Sequence, residues 1–513
     1  MLEIKNLIIK KIANDQILVN KLSFVLNKNS KYALIGLEGN GKSTLLKVIT
    51  ESDNLNYVDV EGTIKKNGYS IGYLPQIIKD DWENEDIIDF LIKGSPSSFV
   101  NPDDYQKLAI LDRILNQVNF DPKEFDDQKK MNQFSGGEVV KLGLVKILLN
   151  DPDILLLDEP TNDLDLETIL FLEEFILNET KPILFISHDE ALLENTANGI
   201  IHLVKNNKTK KAFTYFEKLS YKEYKLKRRL NLDSDEMKAK KQRSNFKKKM
   251  DRFKQIYQKV EHRQNQVVRD PTQGRLLAKK IKSLKSTESR YLREQDDFLD
   301  FPVREEEINL FFDSRIKVPN NKIILNYKLS ELKIEDNLLA RNVELFVKGP
   351  EKIAIIGKNG SGKTTLLRNI IDYLRINTNL KIGYMSQNYD DELVNDRNVI
   401  DNLLVEPDRY PEKRIRELLG SLSFTREEMT CFPKNLSGGQ KAKILLLKLV
   451  ISEVEVLVLD EPTRNLSPLS IPIIHNMLLK YNGAIISVTH DRNFIENVFD
   501  KVYILQKDGL FKL

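Results

Sequence analysis

Two hydrophobic patterns divide the chain. Short unbroken apolar runs, Ala33–Ile35, Ile154–Leu157 and Ile183–Ile186, recur later as Val456–Leu459 and Ala484–Val488. Runs of this length with no polar alternation fit strands covered on both faces. Residues 42–49 carry apolar positions at helical spacing directly after a glycine-rich stretch. Parallel strands alternating with helices predict an α/β fold with a doubly wound sheet, once in each half.

Between the halves the pattern changes. From residue 200 to 301 the only proline is Pro271 and the only glycine is Gly274. The break at 269–275 thus separates two long runs free of helix breakers. Before it, Phe246, Met250, Phe253, Tyr257 and Val260 follow heptad spacing; after it, Leu277, Ile281, Leu284, Tyr291 and Phe298 do the same. These read as facing seams of an antiparallel helical hairpin. The first helix, expected from about Glu217 to Val267, would be roughly 75 Å long. The expected organisation is a first α/β domain at 1–205, a hairpin linker at 206–322 with its tip near 267–275, and a second α/β domain at 323–513.

Charge sharpens this division. Of 79 Lys/Arg and 76 Asp/Glu, 29 and 13 fall within 205–300, which leaves the rest of the chain net acidic. A basic segment on acidic flanks predicts a polyanionic partner met at one place, with nucleic acid the leading candidate. The seam aromatics could stack on bases, but their heptad spacing favours packing between the helices. The chain is 41% hydrophobic and 30% charged, has one cysteine, Cys431, and has no apolar stretch near the ~18 residues of a membrane helix. Glu3, Lys5, Lys10 and Lys11 interrupt the N-terminal apolar residues, unlike a signal peptide. A disulfide framework, a thiolate zinc site and an iron–sulfur cluster are excluded, and a cytoplasmic location is expected.

The chemistry is written twice. Gly36-Leu-Glu-Gly-Asn-Gly-Lys42-Ser43 and Gly357-Lys-Asn-Gly-Ser-Gly-Lys363-Thr364 are phosphate-binding loops. Backbone N–H groups of such a loop face phosphate, the lysine reaches the β- and γ-phosphates, and the hydroxyl is offered to Mg²⁺. Gly36, Gly39, Gly41, Lys42, Ser43 and Thr44, with Gly357, Gly360, Gly362, Lys363, Thr364 and Thr365, are therefore candidate nucleotide ligands. Each loop is followed by a glutamine (Gln76, Gln387), a Ser-Gly-Gly (Ser135-Gly136-Gly137, Ser437-Gly438-Gly439), an Asp-Glu-Pro closing an apolar run, and a histidine (His188, His490). Asp158 and Asp460 are placed to hold Mg²⁺, and Glu159 and Glu461 to orient an attacking water. His188 and His490 follow the next strand, in reach of the γ-phosphate; capping the next helix is the structural alternative.

The spacing identifies an internal repeat. Lys42 to Lys363 is an offset of 321, whereas Ser135 to Ser437, Asp158 to Asp460 and His188 to His490 are all 302. The first half therefore carries 19 more residues between its phosphate loop and its Ser-Gly-Gly, expected in surface excursions such as 82–104.

Together these motifs resemble the ATP-binding-cassette superfamily over both halves. The resemblance implies that ATP is clasped between one phosphate loop and the other half's Ser-Gly-Gly, pairing Lys42 with Ser437 and Lys363 with Ser135 within a monomer. ATP and Mg²⁺ are the implied cofactors, with Ser43, Gln76, Asp158, Thr364, Gln387 and Asp460 as the implied metal set. The catalytic residues by the same resemblance are Glu159, Glu461, His188 and His490. Tandem cassettes with a charged helical linker and no membrane domain are similar to the ABC-F class. That likeness implies a ribosome partner, with the linker directed at 23S rRNA and P-site tRNA near the peptidyl-transferase centre. Asp460-Glu-Pro-Thr-Arg-Asn-Leu-Ser-Pro468 is similar to members that protect ribosomes from lincosamide, streptogramin A and pleuromutilin antibiotics. The alternative is a fused ATPase subunit of a membrane importer.

The chain departs from that family in places. Glu38 stands where the second loop has Asn359. Lys11, Ile12 and Ile334 occupy positions usually given to an adenine-stacking aromatic. Asp165 keeps the family's acid, whereas Ser467 replaces it. Two sites of unequal rate are the expectation.

Overall fold

The computed structural model describes the chain except residues 52–54, 79–81, 96–101, 121–124, 126–128, 163, 206–210, 267–270, 297, 300, 301, 303–309, 314 and 336. It divides into two compact units: residues 1–222 with 305–513, and residues 223–304.

The larger unit repeats one architecture twice. In the first copy a six-stranded sheet runs in the order Ile71–Leu74, Ile154–Asp158, Ile183–Ile186, Lys31–Gly36, Gly199–Lys205, Ala212–Glu217. In the second the order is Ile382–Met385, Val456–Asp460, Ala484–Val488, Lys352–Ile356, Lys501–Gln506, Gly509–Lys512. The first five strands of each are parallel and the last is antiparallel. The apolar runs explain this placement. Ile154–Asp158 and Val456–Asp460 are buried at every residue, so helices must cover both faces. An antiparallel sheet accompanies each copy: Gln16–Leu26, Leu2–Lys11 and Val58–Lys65 in the first, Ile323–Ile334 with Asn337–Lys348 in the second. Each copy packs its antiparallel sheet against its phosphate-loop helix, Lys42–Thr50 or Lys363–Asn377, around one apolar core.

Ten of the nineteen extra residues of the first copy precede Gln76, where Val58–Lys65 pairs with Leu2–Lys11 as a third strand beside the two of the second copy's antiparallel sheet. Within 82–104, Ile87–Ile92 is a helix with Ile87, Phe90, Leu91 and Ile92 buried, and Val399–Leu403 is its counterpart in the second copy. Trp82 is buried edge-on to Phe90 at 5.2 Å, with Lys146 Nζ 3.8 Å from its ring centroid. Burial of the aromatic pair anchors this helix in the first copy. Residues 96–101 of the same stretch lie outside the described residues.

The smaller unit is the helical hairpin. Its helices are Tyr221–Gln266 and Pro271–Asp296. The first begins later than its sequence pattern implies, because Ala212–Glu217 is spent pairing with Gly199–Lys205 as the edge strand. The second begins earlier: Pro271 opens it and Gly274 lies inside its first turn. Proline is tolerated there because the first N–H groups of a helix have no partner within it. Phe246 meets Phe298 with ring centroids 5.0 Å apart, and Phe253 meets Tyr291 at 6.2 Å, both edge to face. Seven residues forward on one helix match seven back on the other, which is the heptad register of an antiparallel pair. Lys249 pairs with Glu294 at 3.1 Å beside this seam. Of the tip segment 267–275, residues 267–270 lie outside the described residues. No helix among the described residues is long and apolar enough to cross a membrane.

Candidate nucleotide sites

Each phosphate loop is shaped by glycine. Gly41 and Gly362 precede the loop helices at φ 91° and 93°, where L side chains are strained. A Cβ on Gly36 would stand 2.4 Å from the Leu203 carbonyl oxygen, so the loop can pass that strand only without a side chain. Asn40 Nδ2 donates to the same carbonyl at 2.8 Å and fixes the loop from the other side.

The loop lysines are buried. Lys42 Nζ donates to Gly36 O and Leu37 O at 3.0 and 3.3 Å, and Lys363 Nζ to Gly357 O and Lys358 O at 2.8 and 2.9 Å. Burial lowers the Lys363 ammonium from its usual range, against the pull of Glu461, Asp165 and Asp460. Ser43 Oγ donates to Asp158 Oδ1 at 3.0 Å, and Thr364 makes the matching bond to Asp460. Both aspartates are buried at strand ends, and burial raises each carboxyl above its ordinary value. A carboxylate kept dry beside a hydroxyl suits a hard divalent cation. Around the second loop, Ser361 Oγ, Asp460 Oδ2 and His490 Nδ1 are buried without a hydrogen-bond partner, as a cavity for a polyphosphate and its cation requires.

Glu159 and Glu461 follow those aspartates at φ 48° and 51°. A left-handed backbone at a non-glycine residue is strained and is held only by its surroundings. The two glutamates then differ. Burial raises Glu159, but the hydrogen bond and charge of His188, with Lys42 and Asn162, outweigh it and hold the carboxyl at about 2. Burial and the adjacent Asp460 push Glu461 up to about 8, with Lys363 opposing. His188 Nε2 lies 3.4 Å from Glu159 Oε1, and His490 Nε2 lies 3.6 Å from Glu461 Oε1. Burial, with Lys363 nearby, lowers His490 to about 4.

The two copies meet at these sites. His188 Nδ1 is 2.7 Å from Leu466 O, and the Gly439 N–H donates to Glu38 Oε2 at 2.9 Å, so the first loop faces the second copy's Ser-Gly-Gly. A cavity of about 550 Å³ brings Gly136, Asn162 and Leu164 of the first copy to Gly360, Lys363, Thr364, Gln387, Asp460, Glu461 and His490 of the second. Ser135 and Ser437 cap the helices Gly136–Leu149 and Gly438–Ile451, each accepting from the N–H three residues on. Ile334, half-exposed, lines the cavity, whereas Ile12 is exposed on the first copy.

A protein-family model described as ABC transporter matches residues 19–162 and 340–464. The ATP-binding protein Uup of Buchnera aphidicola (subspecies of Schizaphis graminum) is 30% identical over 515 residues, 96% of this chain and 79% of that protein. The mouse ATP-binding cassette sub-family F member 2 is 26% identical over 97% of this chain and 79% of its own length. The chain belongs to the ABC-F family. Its two cassettes bind and hydrolyse ATP. A solved structure of the archaeal ribosome recycling factor aABCE1, in complex with the ribosomal stalk protein aP1, superposes with a TM-score of 0.60 at 16% identity, covering 99% of this chain and 90% of that one. At that identity the likeness concerns the fold.

Asn162, Tyr73 and Arg492 have no motif to announce them, and they join Gln76 around the site. Gln76 Nε2 donates to Glu159 Oε2 at 2.8 Å, and Asn162 Nδ2 to the same oxygen at 2.6 Å. Tyr73 donates to Asp158 Oδ2 at 3.0 Å from the neighbouring strand. Arg492 of the second cassette reaches Glu173 of the first at 2.6 Å. Only the offset of 311 shared by Gln76 and Tyr73 with Gln387 and Tyr384 could have drawn attention to the tyrosine.

Proposed function

We propose that this ABC-F ATPase acts on the ribosome. In the closed state the cassettes pair Lys42 with Ser437 and Lys363 with Ser135, and the hairpin enters toward the peptidyl-transferase centre and P-site tRNA. The observation that carries this reading is the hairpin itself. A packed aromatic seam leaves Lys247, Lys254, Arg263, Lys279, Lys282 and Arg290 exposed on a chain that is otherwise net acidic. Counterion release from RNA phosphates favours binding to such a surface. That the fold is shared with a ribosome recycling factor supports the same direction.

Ser43, Gln76 and Asp158 at the first site, and Thr364, Gln387 and Asp460 at the second, would hold Mg²⁺. Glu159 and Glu461 orient the attacking water, and His188 and His490 hold those glutamates and face the terminal phosphate. Bound Mg²⁺ neutralises charge on the phosphates. Closure follows from nucleotide contacts made to both cassettes at once, so hydrolysis weakens closure and frees the ribosome. The similarity of 460–468 to antibiotic-protecting members extends the proposal: displacement of drug by the hairpin tip, in the cytoplasm.

The test is co-sedimentation of the Glu159→Gln, Glu461→Gln double variant with ribosomes in ATP and in ADP. ATP-dependent pelleting is expected. Confirmed ATP binding without pelleting would overturn the proposal, and recovery with membranes would point to an importer subunit.

A further inference from the structure

The two sites use opposite elements to carry an acid across the cassette boundary. At the second site Asp165, from the segment after Asp-Glu-Pro of the first cassette, accepts from the backbone N–H of Asn359 in the second phosphate loop. At the first site the corresponding residue is Ser467, whose hydroxyl is turned to Ser470 at 3.0 Å within its own cassette. There the acid comes from the loop instead: Glu38, at the position of Asn359, accepts from Gly439 N–H of the opposite cassette at 2.9 Å. Its carboxylate also lies 3.1 Å from where a Cβ on Gly438 would stand.

Gly438 and Gly439 open a helix of 14 residues. The first N–H groups of such a helix have no internal acceptor and favour an anion. Ser437 already uses its side chain on Gln440 N–H, so Gly439 N–H is a donor left for something from outside the helix. Glu38 supplies that anion from a loop whose own N–H groups also favour phosphate. A terminal phosphate shared by the two cassettes would compete for this same donor and would meet a like charge beside it.

We propose that Glu38 is a specificity-determining residue of the first site. It stands in for the terminal phosphate at Gly439 and so narrows the preference of that site for ATP over ADP. A diphosphate leaves the Glu38–Gly439 contact in place, whereas a triphosphate must displace it. The second site, with Asn359, keeps the wider preference. This rests on the reading that the Lys42 loop and Ser437 share one nucleotide.

The experiment uses the full chain with the second site disabled by Lys363→Ala, and fluorescent ATP and ADP analogues with Mg²⁺ as probes. Glu38→Asn is expected to tighten the ATP analogue about tenfold, ~1.4 kcal/mol, while moving the ADP analogue less than twofold. Glu38→Gln, which keeps an acceptor without the charge, is expected to move in the same direction. Reciprocally, Asn359→Glu on a Lys42→Ala background should weaken the ATP analogue at the second site and spare the ADP analogue. Equal shifts for both nucleotides, or none, overturn the proposal. Ser437→Glu separates the two ideas: if it leaves ATP affinity at the first loop unchanged, the shared-nucleotide reading fails. If it weakens ATP while Glu38→Asn does nothing, only the role of Glu38 fails.

Discussion

The ring nitrogen Nδ1 of His188 lies 2.7 Å from the backbone carbonyl oxygen of Leu466, across the boundary between cassettes. A carbonyl only accepts, so Nδ1 carries the proton and the ring is held with Nε2 toward Glu159. His490, its counterpart, has Nδ1 buried with no such partner. The first histidine is thereby oriented by the opposite cassette, and the second only by its own.

This difference predicts unequal consequences. His188→Ala should lower turnover at the first site about 100-fold, the scale of losing a positioned acid–base group. It should also raise the ATP concentration for half-maximal rate, because a contact between cassettes goes with it. His490→Ala should lower turnover at the second site with little change in that concentration. Single-site backgrounds made with Lys363→Ala and Lys42→Ala measure each in turn. A matching rise for both histidines would show that the Leu466 hydrogen bond has no bearing on closure.

Gly41→Ala tests the loop geometry without touching a charged group. Its φ of 91° costs an L side chain about 1–2 kcal/mol, and the new Cβ would stand 2.9 Å from Leu18 Cβ. Nucleotide binding at the first loop should fall at least tenfold while far-ultraviolet circular dichroism keeps its helical signal. Gly362→Ala should do the same at the second loop, where Leu339 Cδ1 stands 2.8 Å away. Undiminished binding in both would mean that the left-handed cap is not needed to present the loop.

Much of this site is legible in the sequence because its chemistry is local. A loop that wraps phosphate must place glycines and a lysine within eight positions, and a buried strand ending in Asp158-Glu159 must be an apolar run. The hairpin is legible for the same reason: its seam repeats every seven residues. What the sequence conceals is what lies across the boundary. Glu38 reads as a carboxylate misplaced beside phosphate until Gly439 is seen opposite it. Arg492 and Glu173 are ordinary surface charges in their own helices. Tyr73 and Gln76 come to Asp158 and Glu159 only through the order of strands in the sheet. The packed helix Ile87–Ile92 escapes notice because one and a half turns are too few to show a period.

The pairing of Arg492 with Glu173 should matter to closure more than an exposed ion pair would. Both side chains are about 15% exposed, and Asp189 stands 3.6 Å from the same guanidinium group. Truncating Arg492 leaves two part-buried carboxylates of the first cassette without their counter-charge, a loss on the order of 2 kcal/mol. Arg492→Ala should therefore raise the ATP concentration for half-maximal hydrolysis more than tenfold. Arg492→Met combined with Glu173→Leu should recover most of it, with a coupling between about 0.5 and 3 kcal/mol in a double-mutant cycle. Strict additivity of the two losses would show that the charges act separately.

The hairpin offers the last test, because seam and face can be changed independently. Phe253 is 7% exposed and packs on Tyr291, so Phe253→Ala should destabilise the hairpin by about 3 kcal/mol. That loss should appear as a lower-melting helical transition while ATPase activity, which resides in the cassettes, persists. The face is different. Lys247, Lys254, Lys279 and Lys282 are exposed, and replacing all four with Gln leaves the seam intact. If these ammonium groups neutralise RNA phosphates, log affinity for ribosomes should fall less steeply with log salt, by roughly 0.9 for each phosphate no longer neutralised. The melting transition should stay where it is. A salt dependence unchanged by all four substitutions, with the hairpin still folded, would mean that the basic face does not meet the nucleic acid.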